Sequence, residues 1–157
     1  AVSWAREMCI RDSGKTIQRQ ELFDWSKEED EQIRYYSGTA VYKTTFRWKS
    51  KVKEDQQVYL NLGKVCDLAT VRVNGIDCGT IWTAPYRADI TAALKKGVNE
   101  LEIEVTNTWA NALKGADEGK APFDGIWTNA KYRRAENTLL PAGLLGPLNF
   151  DVANKNK

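Results

Sequence analysis

Two short stretches gather the residue types best suited to surface chemistry: Trp82-Thr83-Ala84-Pro85-Tyr86-Arg87 and Asn107-Thr108-Trp109-Ala110-Asn111. A flat aromatic ring meets the apolar C–H face of a sugar, and amide or guanidinium forks meet its hydroxyl edge. Trp82, Tyr86, Arg87, Asn107, Trp109 and Asn111 are therefore the candidate carbohydrate-binding set. A structural role fits the same cluster. Asn107 shares the inward parity of Leu101, Ile103 and Val105, where a buried amide ties down loop backbone. Trp82 and Pro85 can instead close the end of a core.

Other chemistries find less support. The chain has no histidine, which excludes a Ser-His-Asp or Cys-His site within it and removes the commonest metal ligand. Three cysteines alone do not make a zinc site. Glycoside hydrolysis needs two carboxylates at a set separation. Asp117, Glu118 and Asp124 lie in one irregular stretch, but no motif fixes their spacing, so no catalytic residue is assigned. Asn107, Asp117, Asp124 and Asn129 offer oxygens to a hard cation without EF-hand spacing; calcium stays open as a ligand, no metal residue is assigned and no other cofactor is expected. A net charge of +2 and the short run Lys131-Tyr132-Arg133-Arg134 make a poor nucleic-acid footprint. No apolar run has the length of a membrane-spanning helix.

The elements that must position these residues read as strands. Ala40–Trp48 sets Tyr42, Phe46 and Trp48 against Lys43, Thr45 and Arg47. Val58–Leu62 and Leu68–Val73 alternate, Ile76–Trp82 returns, and Glu100–Asn107 sets Leu101, Ile103 and Val105 against three glutamates. Asn74-Gly75 predicts a type I′ hairpin, because both central residues need positive φ. In that hairpin Cys78 faces Val71 rather than Cys66, so free, buried thiols are expected. Ser26 and Glu29 have capping-box spacing for a helical turn, and Asp89–Gly97 reads as one or two more turns. Short strands separated by turn signals predict an all-β antiparallel sandwich in a chain long enough for one domain.

Residues 108–147 lose the period and collect Gly, Pro, Asn and Asp, with Ile126–Arg134 as a candidate strand. Leu148-Asn149-Phe150 reads as a closing strand and residues 153–157 as a frayed tail. At the other end, Ala5–Ser13 (AREMCIRDS) resembles a translated sequencing adapter of the kind found on environmental gene fragments. Residues 1–13 are expected to be a non-native leader, and 14–152 the sandwich domain.

Three motifs carry a family resemblance. Tyr36-Ser37-Gly38-Thr39-Ala40-Val41-Tyr42, Val71-Arg72-Val73-Asn74-Gly75 with Gly79, and Tyr86–Thr91 with Gly97-Val98-Asn99-Glu100-Leu101 resemble the sugar-binding domain of family 2 glycoside hydrolases. Ile81–Arg87, Thr106–Leu113 and Pro141–Pro147 are more similar still to the C-terminal galactose-binding-like domain of family 106 α-L-rhamnosidase-like hydrolases. The resemblance covers about Glu21 to Phe150. It departs at Ala112, where the family usually has Arg, a planar five-donor group. The resemblance implies a jelly-roll sandwich, and an accessory domain that binds a plant or host glycan or packs on the catalytic domain of its parent. It also implies that the catalytic carboxylates sit in a separate barrel, and an extracytoplasmic location for the parent. On this reading the chain is a hydrolase fragment and not an enzyme by itself; a purely structural interdomain role is the alternative.

Overall fold

The computed structural model describes residues 6–10, 15–19, 21–129 and 138–155. In chain order these form β1 (Arg6–Ile10), β2 (Lys15–Arg19), a 3-10 turn (Trp25–Lys27), α1 (Glu31–Arg34) and β3 (Thr39–Trp48). There follow β4 (Gln56–Asn61), β5 (Lys64–Cys66), β6 (Leu68–Val73), β7 (Ile76–Ile81), β8 (Arg87–Asp89) and β9 (Gly97–Thr106). The chain closes with α2 (Ala110–Asp117), β10 (Gly143–Gly146) and β11 (Asn149–Asn154).

One layer is a six-stranded sheet in the order β2-β1-β3-β9-β6-β7. The other combines a three-stranded sheet, β11-β4-β8, with the pair β10-β5. Every pairing between these strands is antiparallel. The alternation read from sequence is the burial pattern seen: Ala69, Val71 and Val73 of β6 and Leu101, Ile103 and Val105 of β9 point into one core with Val58 and Leu60 of β4. Phe150 of β11 meets the Phe46 ring of β3 at 4.8 Å, which joins the two layers. This is the all-β sandwich expected.

The motifs turn out to be joints between elements. Asn74 (φ 52°) and Gly75 (φ 78°) make the hairpin between β6 and β7, both in the left-handed region. The Asn74 amide donates to the carbonyls of Ala93 and of the Asn99 side chain, each at 2.8 Å. Asn99, fully buried, returns bonds to Lys95 and Gly97. Two turns far apart in sequence are thereby locked together. At the other end of the chain Gly143 (φ +97°) lies against the Trp25 indole; a Cβ there would sit 2.5 Å from Nε1. Trp25 Nε1 donates to Tyr42 Oη at 2.8 Å, and Tyr42 Oη accepts from Leu144 N–H. Burial away from water pushes the Tyr42 phenol far above its ordinary range.

Several expectations need correction. Arg6–Ile10, assigned to the excluded leader, pairs with both β2 and β3, and Met8 and Ile10 enter the core. The sheet reaches that far because an apolar-polar alternation in Glu7–Ile10 matches the open edge of β3. The tail is partly strand: Ala153 and Asn154 of β11 pair with Gln57 and Gln56. Asp24 and Asp30, not Ser26, cap the turns near Trp25 and Ile33, because their carboxylates reach N–H groups two residues on. The stretch expected to be helical from Asp89 begins as the end of β8 and continues as a single turn tied by Thr91 to Val58. Residues 126–129 are not strand; the rest of that candidate, and Lys131–Arg134, lie outside the described residues. The cysteines are free, as expected, but only Cys66 is buried, and burial raises its thiol pKa.

Candidate functional site

The two candidate stretches emerge at the same end of the large sheet. Thr39 and Leu68 both pair with Thr106, and Ile81 pairs with Ala69, so β3, β9, β6 and β7 all terminate there. Trp82 follows β7 directly, and Trp109 lies three residues past β9. β7 and β9 are next-but-one neighbours, which sets the roots of the two loops about 10 Å apart. Trp82 is 75% exposed and Trp109 60% exposed. Large apolar rings at such exposure contribute little to a core.

The amides beside them behave in the opposite way. Asn107 is buried; its Oδ1 accepts from Gly38 N–H at 2.8 Å and its Nδ2 donates to Tyr36 O at 2.9 Å. Asn111, also buried, exchanges two bonds with the backbone of Leu140, at 2.8 and 2.7 Å. Each amide imitates a strand partner for a segment that has none. Asn107 and Asn111 are thus turned inward, each with one donated and one accepted bond inside the fold, as in the structural role that the parity of Asn107 allowed. Ser37 Oγ accepts from Ala112 N–H, and Ala112 is fully buried. The Tyr-Ser-Gly and Thr-Asn-x-Trp motifs are thus two halves of one clamp, and position 112 faces the interior.

Tyr86 is half-buried against the core and its carbonyl accepts from Leu62 N–H. Arg87 opens β8 and turns away from the rim. Its guanidinium lies 3.6 Å from the centroid of the Tyr59 ring, on the outer face of the small sheet. The six predicted residues thus separate into two exposed indoles, two interior amides, one half-buried tyrosine and one arginine on another face.

The Trp109 side of the rim is tied to the frame. Thr108 N–H bonds Asp67 Oδ2 at 3.1 Å, and Asp67 N–H bonds Thr106 O. Behind Trp109, Phe123 meets it edge-on at 6.4 Å and meets Tyr36 edge-on at 6.5 Å; Tyr36 in turn leans on Trp25 at 5.9 Å. A line of rings connects the exposed indole to the core. Sequence reasoning missed α2, which begins at Ala110 with Trp109 at its N-cap, and missed Trp127, 80% exposed. A solvent-facing Trp in a stretch without period was the available signal for the latter.

The three carboxylates considered for catalysis differ in surroundings. Glu118 is engaged by Tyr35 Oη and Lys114, whose ammonium and hydrogen bond hold its carboxyl below the usual range. Asp117 and Asp124 are exposed. Among the described residues no group of three or more His, Cys, Asp or Glu is placed to hold a metal ion.

Comparison with known proteins agrees with this architecture. Residues 17–138 match the family described as glycosyl hydrolase 2 galactose-binding domain-like. A putative beta-glucuronidase of Formosa agariphila is 40% identical over 84% of this chain and 13% of its own length. The structure of a rhamnosidase from Novosphingobium sp. PP1Y superposes with a TM-score of 0.82 at 37% identity, over 97% of this chain and 15% of that one. A Ruminococcus gnavus beta-glucuronidase shares the fold at 19% identity, TM-score 0.55, over 67% of this chain and 20% of its own. The chain spans only 13 to 20% of the length of these three proteins. On the family match, the sandwich and its joint-forming motifs, this chain belongs to the galactose-binding-like domains of family 2 glycosyl hydrolases.

Proposed function

We propose that this chain is an accessory, non-catalytic domain of a rhamnosidase-like glycoside hydrolase, and that it holds carbohydrate on the rim carrying Trp82 and Trp109. The observation that carries the reading is their exposure on adjoining loops, the one with Trp109 being pinned on either side by the buried amides of Asn107 and Asn111. Rigid loops offering ring faces pre-organise a sugar platform and lower the ordering cost of binding. The proposed parent is a longer enzyme whose catalytic carboxylates lie in another domain. Its polymeric glycan substrate is expected outside the cytoplasm.

A second reading has its own support. The chain covers 15% of the rhamnosidase it superposes on, and exposed indoles suit a face that a neighbouring domain of a larger protein covers. Isothermal titration of the full chain with L-rhamnose, D-galactose and rhamnogalacturonan oligosaccharides, with and without calcium, separates the two. Saturable heat lost in Trp82→Ala and Trp109→Ala supports the carbohydrate rim. A folded domain giving no heat with any of these sugars leaves the interdomain role. A heat signal that requires calcium would assign the cation a part in binding.

A further inference from the structure

One carboxylate stands between the roots of the two exposed indoles. β6 starts at Leu68, which pairs with Thr106 of β9, and the next residue, Ala69, pairs with Ile81 of β7. Asp67 therefore lies at the root of β6. On one side, about 4.8 Å away, runs the chain that leads to Trp109, and on the other the chain that leads to Trp82. Asp67 Oδ2 accepts from the N–H of Thr108, the residue before Trp109, at 3.1 Å. Oδ1 has no hydrogen-bond partner among the described residues, and the side chain belongs to an exposed residue. An ionised carboxylate offers about four acceptor positions, so most of this one is unused.

Its charge is also unmatched. Elsewhere the carboxylates have cations: Glu102 and Glu104 meet Arg72, Glu102 also meets Lys43, and Glu118 meets Lys114 and Lys120. Asp67 forms no ion pair among the described residues. The stretches Trp82–Tyr86 and Asn107–Asn111 contain no Lys or Arg, and Arg87 lies over Tyr59 on another face. Holding Thr108 N–H needs an acceptor oxygen but no charge, and an asparagine would serve for that alone.

We infer that Asp67 is the polar contact of the Trp82–Trp109 platform and makes it select a neutral sugar unit over a uronate. This rests on the carbohydrate reading of that rim. Two adjacent hydroxyls of a pyranose donate to the carboxylate in charge-assisted bonds while its C–H face lies on an indole. A uronate in the same place sets a second negative charge beside one that no described cation offsets.

Isothermal titration of the full chain tests this with α-1,4-oligogalacturonides and with the same oligosaccharides after reduction of their carboxyls to primary alcohols, beside β-1,4-galacto-oligosaccharides. The reduced ligands are expected to bind about ten-fold more tightly than the uronates. Asp67→Asn keeps an oxygen for Thr108 N–H, so its urea midpoint should match the parent's. It should weaken the neutral ligands about ten-fold and bring the uronate and neutral affinities together. The uronate-to-neutral ratio is read on the parent chain and needs no variant to fold. A parent that binds the uronates as tightly as their reduced forms, or a folded Asp67→Asn with unchanged affinity for the neutral ligands, would overturn the proposal. If binding in either case is still lost in Trp82→Ala/Trp109→Ala, the rim reading stands and Asp67 alone leaves it. No heat with any of these saccharides would remove both.

Discussion

Asn107 and Trp109 are two residues apart and have opposite fates. The amide turns inward and completes the hydrogen bonding of Tyr36 and Gly38; the indole stands in solvent at the end of the same sheet. Asn111 and its neighbour Ala112 repeat the inward choice, and Trp82 on the adjoining loop repeats the outward one. The difference teaches that polar residues in a binding-type loop can be there to fix the loop, while on the proposed function the apolar ones meet the partner. Stability and recognition are then carried by different side chains and can be separated by substitution.

The largest effect should come from the interior half. Asn107→Ala removes the side-chain bonds to Gly38 N–H and to the buried Tyr36 carbonyl, a loss of roughly 2–4 kcal/mol in urea unfolding. Asn111→Ala should cost about 1–3 kcal/mol for the same reason, since Leu140 loses both of its bonds. Arg87→Ala removes the stacked guanidinium from Tyr59 and should cost about 0.5–1 kcal/mol, an exposed cation–π contact. Trp82→Ala should fall within about 0.5 kcal/mol of the parent, as a surface change away from any buried network. A large loss for Trp82→Ala, or none for Asn107→Ala, would break the division.

The smallest effect concerns pH. Glu118, held below its ordinary pKa by Lys114 and Tyr35, contributes stability that is present above the unfolded carboxylate value. That contribution is lost as pH falls through the lowered folded value. Glu118→Gln should therefore lower the neutral plateau slightly and flatten the acid limb, the two proteins converging at low pH. An acid limb identical in both proteins would show that the Tyr35–Glu118–Lys114 group has no share in joining α2 to α1.

Much of the frame was legible in the sequence, because a half-buried strand writes its burial as alternation. Leu101, Ile103 and Val105, and Asn74-Gly75 with its two positive φ values, are where they should be for that reason. α2 was not legible. Ala110–Asp117 contains Asn111 and Gly115, weak helix formers, and holds its shape through tertiary contacts: Asn111 to Leu140, and Gly115 against the Tyr35 ring. The Arg6–Ile10 strand was hidden by its likeness to an artificial leader, which says nothing of what an open sheet edge will accept. For the site, residue types were readable and direction was only half so. The inward parity of Asn107 already pointed to its role, but Asn111 and Arg87 depend on where a helix and a short strand begin. Those starting points are set by packing far away in sequence.

The most direct test measures stability and binding on the same two proteins, Asn107→Ala and Trp109→Ala, by urea unfolding and by titration with rhamnogalacturonan oligosaccharides. The account predicts that Trp109→Ala unfolds within about 1 kcal/mol of the parent yet gives no binding heat. It predicts that Asn107→Ala is strongly destabilised but still binds while folded. Trp109→Ala losing as much stability as Asn107→Ala while sugar binding survives would contradict it, and would make the indole a part of the frame.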